Sequence, residues 1–380
     1  MFRMIYISIK KGDIMKKKLL SFIFLVCLII PCVILVGCKE QKTVKPSSGL
    51  IFELINDGKE YSVAGIGQCT DTEIIIPSSY NGKKVTEISI YAFKDCDFIM
   101  RVTIPDSVSK LGYGVFENCY YLEKVNMSKN VTEIPSSTFS CCYRLVDVNV
   151  SSNLKSIKSS AFLNCKNLTY IPGLNSITSI GDSAFAGCGL DYYELNSFHN
   201  PNNIITIGES AFANCDKLRY IKLPNTVTSI GASAFSGCDE LSEIEFPNSI
   251  TCIEEKICYD CDELTRVTIP EGITSIRKSA FQDCDKLNNI TIPSSVITIE
   301  DNAFIFCSAL KTIVIKSNEI ANNLIANTSS GFFMYTAIEI YIKSDVVITN
   351  STYLLENYTK QAINYKEGYD LYLKNGWTIN

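Results

Sequence analysis

Histidine and tryptophan are almost missing from this chain of 380 residues, which has one of each, His199 and Trp377. Histidine is the commonest general acid or base and the commonest metal ligand, so little material is left for either chemistry. The phosphate-binding glycine loops, the nucleophile elbow and the His-Glu-x-x-His zinc motif are also missing. We therefore expect no enzymatic activity, no cofactor and no metal site.

The chain also lacks an excess of positive charge. Its formal net charge is −5, and no basic tract occurs beyond the N-terminal segment. A protein that binds nucleic acid usually presents a basic patch that neutralises phosphates. We expect no nucleic-acid partner.

What the chain has instead is a column of regularly spaced cysteines. Eight of the nine intervals are 23 residues, and the interval from Cys188 to Cys215 is 27. We number the coils 1 to 10 by these column cysteines: Cys96, Cys119, Cys142, Cys165, Cys188, Cys215, Cys238, Cys261, Cys284 and Cys307. A repeat of 20 to 29 residues is typical of a leucine-rich-repeat solenoid.

Other positions repeat in phase with the cysteines. Coil 9, for example, has aliphatic residues eleven and eight positions before its cysteine, then the pair Ala280-Phe281. After Cys261, the alternation Leu264-x-x-Val267-x-Ile269 predicts a short strand with one face inward, which Pro270 ends. Stacking is obligatory, because one coil alone would expose both of its faces to water. The phenylalanines should then stack in a spine, with a packing gap where Cys258 replaces phenylalanine in coil 8.

The unit x-Val/Ile-Thr-x-Ile-Gly-x-x-Ala-Phe-x-x-Cys-x-x-Leu-x-x-Ile-x-Ile-Pro-x-Ser is nearly complete in residues 226–249 and 272–295. It resembles the repeat of the BspA-like leucine-rich-repeat surface proteins over roughly residues 74–316. The resemblance implies a solenoid of about ten 23-residue coils with a parallel β-sheet on one face and caps at both ends. It also implies an extracellular bacterial protein, often lipid-anchored or wall-associated, and some members of the family are adhesins.

The N-terminal segment has the pattern of an export signal. Lysines at 16–18 precede an apolar run, and Leu35-Val36-Gly37-Cys38 resembles a bacterial lipobox. That resemblance implies cleavage before Cys38, lipidation of its thiol and anchoring in the membrane, outside the cytoplasm. Met15 is an alternative start, and an uncleaved membrane helix is the alternative to cleavage.

The predicted domain boundaries follow from these signals. They are a signal peptide at 1–37, a lipid-anchored linker at 38–49, an N-terminal cap at 50–84, the solenoid at 85–315 and a C-terminal cap at 316–380.

Three hypotheses compete for the fourteen cysteines beyond Cys38. Disulfides are the default in secreted proteins, but column cysteines would have equivalent neighbours on both sides and parallel Cβ vectors. In the second hypothesis the cysteines stay reduced, and their thiols form a ladder of small hydrophobic groups that fill the same interior position in each coil. Cys252, Cys258 and Cys261 superficially suggest a metal or redox motif, although Cys258 and Cys261 occupy the ordinary phenylalanine and cysteine columns.

The outward face of the predicted strands is the candidate ligand-binding surface. Tyr170, Tyr192 and Tyr220 follow one another on it, and tyrosine is enriched in binding hot spots, although it is also common on β-sheet surfaces. The long interval nearby contains Phe198 and His199, and such insertions often shape binding sites, although many are merely tolerated loops.

The leading hypothesis is a cell-surface lipoprotein that binds an extracellular protein, either of a host matrix or of another cell. The alternatives are a structural envelope protein without a discrete ligand and a glycan-binding surface protein.

Overall fold

A computed structural model describes residues 45–191, 203–317, 319–320, 338–343 and 369–375. Within these residues the chain forms stacked coils, and equivalent positions of successive coils lie in register. The solenoid predicted from the cysteine spacing is confirmed. The proposed signal peptide and Cys38 lie outside the described residues, as do Tyr192, Phe198 and His199.

One side of the solenoid is the predicted parallel β-sheet, here called the major ladder. Apart from Glu73–Ile75, its strands come five to eight residues after the column cysteines of coils 1 to 3 and 6 to 10, and each pairs in parallel with the equivalent strand of at least one neighbouring coil. They are Glu73–Ile75, Arg101–Thr103, Lys124–Asn126, Asp147–Asn149, Tyr220–Lys222, Glu243–Glu245, Arg266–Thr268, Asn289–Ile292 and Thr312–Ile315.

The major ladder is interrupted after Asp147–Asn149. In coil 4 the position equivalent to Asn149 is Pro172, which has no N–H to donate to the neighbouring strand. Gly173 then adopts a left-handed φ of 85° and begins a 3-10 turn at Leu174–Ser176. Proline therefore explains why Tyr170 is not part of a strand.

A second parallel ladder, which the sequence did not predict, runs along another side. Apart from the six-residue strand Lys83–Ile88, each strand here has two residues, of which the second is the aliphatic residue eight positions before the cysteine. This minor ladder consists of three paired segments. They are Lys83–Ile88 with Lys110–Leu111; Glu133–Ile134, Ser156–Ile157, Ser179–Ile180, Thr206–Ile207 and Ser229–Ile230; and Cys252–Ile253, Ser275–Ile276 and Thr298–Ile299.

The third side consists of turns with left-handed backbone. In all ten coils, the residues five positions and one position before the column cysteine have positive φ, as in Ser279 at 55° and Asp283 at 60°. Asparagine, aspartate and glycine tolerate this conformation best, which accounts for their frequency just before the cysteine. The turns still bond along the stack, because Phe93 N donates to Val115 O and Asp95 N to Glu117 O, both at 2.9 Å.

Phenylalanine rings form a spine through the interior. From Phe93 to Phe235, successive rings are nearly parallel, with centroids 5.2 to 5.7 Å apart. The stack breaks at Cys258 and resumes between Phe281 and Phe304 at 5.4 Å. The break holds another ring, because Phe246 of coil 7 packs edge-on against Phe281 of coil 9, with centroids 6.4 Å apart. Phe246 thus crosses the layer where coil 8 lacks phenylalanine.

The column cysteines form a ladder of buried thiols beside this spine. From coil 2 to coil 10, each thiol donates to the backbone carbonyl of the phenylalanine position in the preceding coil, at 3.0 to 3.2 Å. All fourteen described cysteines are free. Burial raises the pKa of Cys142 well above its ordinary value, because a thiolate would be stripped of water there.

Additional strands continue the sheets at both ends. An antiparallel hairpin of Ile51–Ile55 and Glu60–Gly65 pairs with Lys83–Ile88, which also pairs with Ser79–Tyr80. At the other end, Ile338–Lys343 extends the major ladder in parallel, and Tyr369–Asn375 adds to it in antiparallel fashion. Across the described ranges, no helix is both long and apolar enough to cross a bilayer.

Candidate functional site

The predicted tyrosine surface is only partly visible. Tyr170 is half-buried and follows the interruption of the major ladder, whereas Tyr220 begins the strand Tyr220–Lys222. The Tyr220 hydroxyl donates to Glu245 Oε1 at 2.9 Å, so this phenol is held by the neighbouring coil. The binding role of these tyrosines stays a prediction.

Ion pairs between neighbouring coils link the charged residues of the strand face. Arg101 lies 2.6 Å from Glu73, Lys222 lies 2.6 Å from Glu245, and Lys124 pairs with Asp147. Exposed pairs of this kind contribute at most about 1 kcal/mol each, since water screens them. The strand face therefore has much of its charge already satisfied within the molecule.

A different surface carries exposed aromatic rings. Phe98, Tyr120, Tyr121 and Tyr143 are each 39 to 46 % exposed, and we call them, together with Arg144, the aromatic edge. Tyr120 and Tyr143 stack in parallel with their ring centroids 5.3 Å apart. The Arg144 guanidinium lies over the Tyr121 ring, 4.5 Å from its centroid. The rings and the guanidinium thus form one contiguous surface on coils 1 to 3.

The position of this edge follows from the repeat. Cys119 and Leu122 are fully buried, and the two residues between them turn outward, whereas the equivalent residues of coil 5, Gly189 and Leu190, are buried. The turn is closed by Tyr120 N, which donates to Asn118 O at 3.0 Å. Sequence reasoning missed the edge because it followed the strand positions, although the pair Tyr120-Tyr121 directly after a column cysteine was a visible signal.

In coils 6 to 9 the same two positions are rich in acid. We call them the acidic edge: Asp216-Lys217, Asp239-Glu240, Asp262-Glu263 and Asp285-Lys286. Burial, followed by repulsion from Asp216 and Asp262, raises the pKa of Asp239. The edge therefore changes along the solenoid from aromatic rings to clustered negative charge.

A second aromatic pair lies at the start of the third-side turns. Tyr91 and Tyr113 meet edge to face at 5.3 Å, and Lys94 Nζ lies 4.6 Å from the Tyr91 ring centroid. Ser137 Oγ donates to the Tyr113 hydroxyl at 3.0 Å. In coils 1 and 2, exposed aromatic rings therefore occur both before and after the column cysteine.

The apparent metal motif is divided between core and surface. Cys258 and Cys261 are fully buried, whereas Cys252 is half-buried and accepts hydrogen bonds from Ser275 Oγ and Arg277 Nε, both at 3.1 Å. Across the part of the chain that the structure describes, no group of three histidine, cysteine or carboxylate side chains is arranged to hold a metal ion.

The repeats match a known family. A model of the BspA-type leucine-rich-repeat region matches six copies over residues 67–191, 190–311 and 239–358. The chain belongs to this family. Leucine-rich repeats commonly present extended surfaces for binding other proteins, so membership indicates a protein-interaction module, and the BspA type suggests a place on the cell surface. No curated protein matches the chain.

Several solved structures are similar to this BspA-type chain. A leucine-rich cell-surface protein from Faecalibacterium prausnitzii is 24 % identical, covers 73 % of this chain and 96 % of its own, and has a TM-score of 0.35. The pneumococcal vaccine antigen PcpA is 20 % identical, with coverages of 82 % and 96 % and a TM-score of 0.42. A leucine-rich-repeat protein from Bacteroides ovatus is 21 % identical, with coverages of 78 % and 100 % and a TM-score of 0.33. At these levels of similarity we base no functional argument on them.

Proposed function

We propose that this protein is a binding module held on the outer surface of a bacterial cell by a lipid on Cys38. Its partner is an extracellular protein, either of a host matrix or of another cell. The observation that carries the proposal is the aromatic edge, where Phe98, Tyr120, Tyr121 and Tyr143 stay exposed beside a core that buries the phenylalanine spine.

Exposed rings in this arrangement suit a protein partner. Tyrosine and arginine are over-represented in binding hot spots, because they bury a large area while losing few rotamers. Stacking of Tyr120 on Tyr143 and of Arg144 on Tyr121 fixes the side chains before binding, which lowers the entropy lost on association. The edge is therefore preorganised for contact.

The strand face remains a second candidate surface. Tyr170 and Tyr220 are half-buried there, and the prediction extends to Tyr192, Phe198 and His199. We rank this face below the aromatic edge because the Tyr220 hydroxyl is already bound by Glu245.

Binding of the full chain, purified in detergent, to immobilised matrix proteins tests the proposal. Replacing Tyr120, Tyr121 and Tyr143 together by alanine should weaken binding by at least about 30-fold, the loss typical of a hot spot. Tyr259→Ala, which changes a half-buried tyrosine on a later coil, is the matched control. If only Tyr170→Ala and Tyr220→Ala weaken binding, the strand face is the site. If no matrix protein or other surface protein binds, the structural envelope role is favoured instead.

The anchor is tested separately. Mass spectrometry of the mature N-terminus should find a diacylglyceryl group on Cys38, and Cys38→Ser should release the protein from membranes. An unmodified mature chain that begins elsewhere would contradict this part of the proposal.

A further inference from the structure

A polar notch interrupts the third side at coil 5, where the aromatic edge gives way to the acidic edge. Its volume is about 300 Å³. The side chains and backbone around it come from coils 4, 5 and 6, and include Asn164, Lys166, Gly187, Asn214, Asp216 and Lys217.

Two glycines on either side of Cys188 create the notch. A Cβ at Gly187, where φ is 69°, would lie 2.5 Å from Asn164 Oδ1, and a Cβ at Gly189 would lie 2.3 Å from the Lys166 carbonyl oxygen. Neither position accepts a side chain unless its neighbours move. Coil 5 therefore leaves a space that side chains fill at the same positions in most other coils.

Two side-chain amides at the notch differ from the equivalent amide of coil 2 in their hydrogen bonding. One position before the cysteine, Asn118 Nδ2 of coil 2 donates to Asp95 Oδ1 of coil 1 at 2.7 Å. Asn164 and Asn214 occupy the same position in coils 4 and 6, but Gly187 between them offers no side-chain partner. Among the described residues, neither amide has a hydrogen-bond partner.

Charged groups at the notch are also available to bind a ligand. Neither Asp216 nor Lys217 forms an ion pair within the described ranges, although Lys286 at the equivalent position of coil 9 lies 2.5 Å from Glu263. Lys166 Nζ lies 5.8 Å from the centroid of the Tyr143 ring. The residues that line the notch therefore carry two ammonium groups and one carboxylate, and the acidic edge begins at Asp216 on one side of it.

We propose that this notch binds a sugar ring that carries a carboxylate, such as the terminal residue of an acidic glycan. The side-chain amides can donate to and accept from the sugar hydroxyls, the Asp216 carboxylate can accept from them, and the lysines complement the sugar's negative charge. Ligand pockets begin at about 300 Å³, so the volume suits one monosaccharide rather than a longer segment. This inference goes beyond the proposed protein binding and does not depend on it.

Titration calorimetry of the full chain tests the ligand class. The probes are N-acetylneuraminic acid, glucuronic acid, glucose and inorganic phosphate. Both sugar acids should bind in the millimolar range, and glucose and phosphate about tenfold more weakly, because glucose lacks the charge and phosphate lacks the ring. The proposal is overturned if neither acid binds saturably up to about 10 mM, or if glucose or phosphate binds as tightly as the acids.

Substitutions then assign the site. Asn164→Gly and Asn214→Gly remove the amides while keeping a residue that accepts a left-handed backbone, and Lys217→Gln removes one positive charge. Each should weaken sugar-acid binding about tenfold. Asn118→Gly and Lys286→Gln are the controls, because they change the same positions in coils 2 and 9. Unchanged binding in the notch variants, or equal losses in the controls, would overturn the assignment, and the melting temperature of each variant checks the fold.

Discussion

Coils 1 to 3 and coils 6 to 9 share one backbone but differ at their edges. In both regions the column cysteine and the leucine three residues later are buried, as Cys119 with Leu122 and Cys238 with Leu241 show. The two residues between them are aromatic in coil 2 and acidic in coil 7. Buried columns are constrained by packing against both neighbours, whereas these outward positions are free to diverge. We therefore look for binding specificity there.

The same two regions differ in their interiors. The ring stack is continuous through coils 1 to 7, whereas coil 8 has Cys258 and receives Phe246 from coil 7. Because most contacts of a coil are with its immediate neighbours, and Phe246 reaches only one coil further, a local change in packing should be felt locally.

The largest effect should come from removing a ring. Phe139→Ala should lower the free energy of unfolding by about 3 to 5 kcal/mol, because it leaves a cavity between two stacked rings at 5.5 and 5.2 Å. Phe281→Ala should cost less, since Phe281 has one parallel neighbour and an edge-on contact with Phe246. Urea denaturation of both variants gives the comparison. A larger loss at Phe281 would contradict the continuous spine.

Filling the break should also destabilise the protein. Cys258→Phe should cost about 1 to 3 kcal/mol, because Phe246 already occupies that layer. Combining it with Phe246→Ile, which restores the aliphatic residue found at this position in coil 9, should recover part of the loss. A double-mutant cycle measures this coupling, and additive effects would show that the two rings do not compete.

Stability should fall at alkaline pH. Burial raises the folded-state pKa of Cys142 above its unfolded value of about 8.5, so above that pH the unfolded state loses a proton that the folded state retains. The protonated Cys142 thiol contributes fully to the free energy of unfolding below pH 8.5. This contribution is lost as the pH rises, at up to about 1.4 kcal/mol per pH unit. Cys142→Ala should reduce the total slope by this amount, while the other buried column thiols keep their own contributions.

The less buried Cys96 in coil 1 should show a different pH dependence from Cys142. Its pKa is raised to about 11, chiefly by burial, so its contribution should stop falling above that pH. Unfolding free energies measured between pH 7.5 and the highest pH at which refolding stays reversible check both residues. A slope that Cys142→Ala leaves unchanged would contradict the assigned burial.

The smallest effects should come from the strand face. Lys124→Gln in coil 2 and Arg266→Gln in coil 8 each break an exposed ion pair, with Asp147 and Glu243 respectively. Each should cost about 0.2 to 1 kcal/mol, and less at high salt. A loss above 2 kcal/mol at either site would show that the ladder depends on these pairs more than their exposure suggests.

The interior of the solenoid was largely predictable from the sequence. The cysteine and phenylalanine columns are long, regular and apolar, so their spacing alone indicated the stack and its interruption at Cys258. The strand after each cysteine was visible as an alternation such as Leu264-x-x-Val267-x-Ile269. These features share one cause, which is that every coil must fill the same interior.

The surface features were harder to predict. The minor ladder has strands of two residues, which are too short for an alternation to appear. The reach of Phe246 across coil 8 depends on the ring missing at Cys258, a contact between coils that no periodicity shows. The notch arises from Gly187 and Gly189, which matter only because Asn164 and Lys166 of the previous coil lie against them.

Thiol labelling tests the in-phase stack most directly, because every coil contains a reporter. The native full chain should be treated with an alkylating reagent at neutral pH, and each described cysteine scored by mass spectrometry. We predict that half-buried Cys141 and Cys252 react well before the fully buried column from Cys119 to Cys307. Uniform labelling of Cys141 and its neighbour Cys142, or disulfide bonds between column cysteines, would contradict the stacked register.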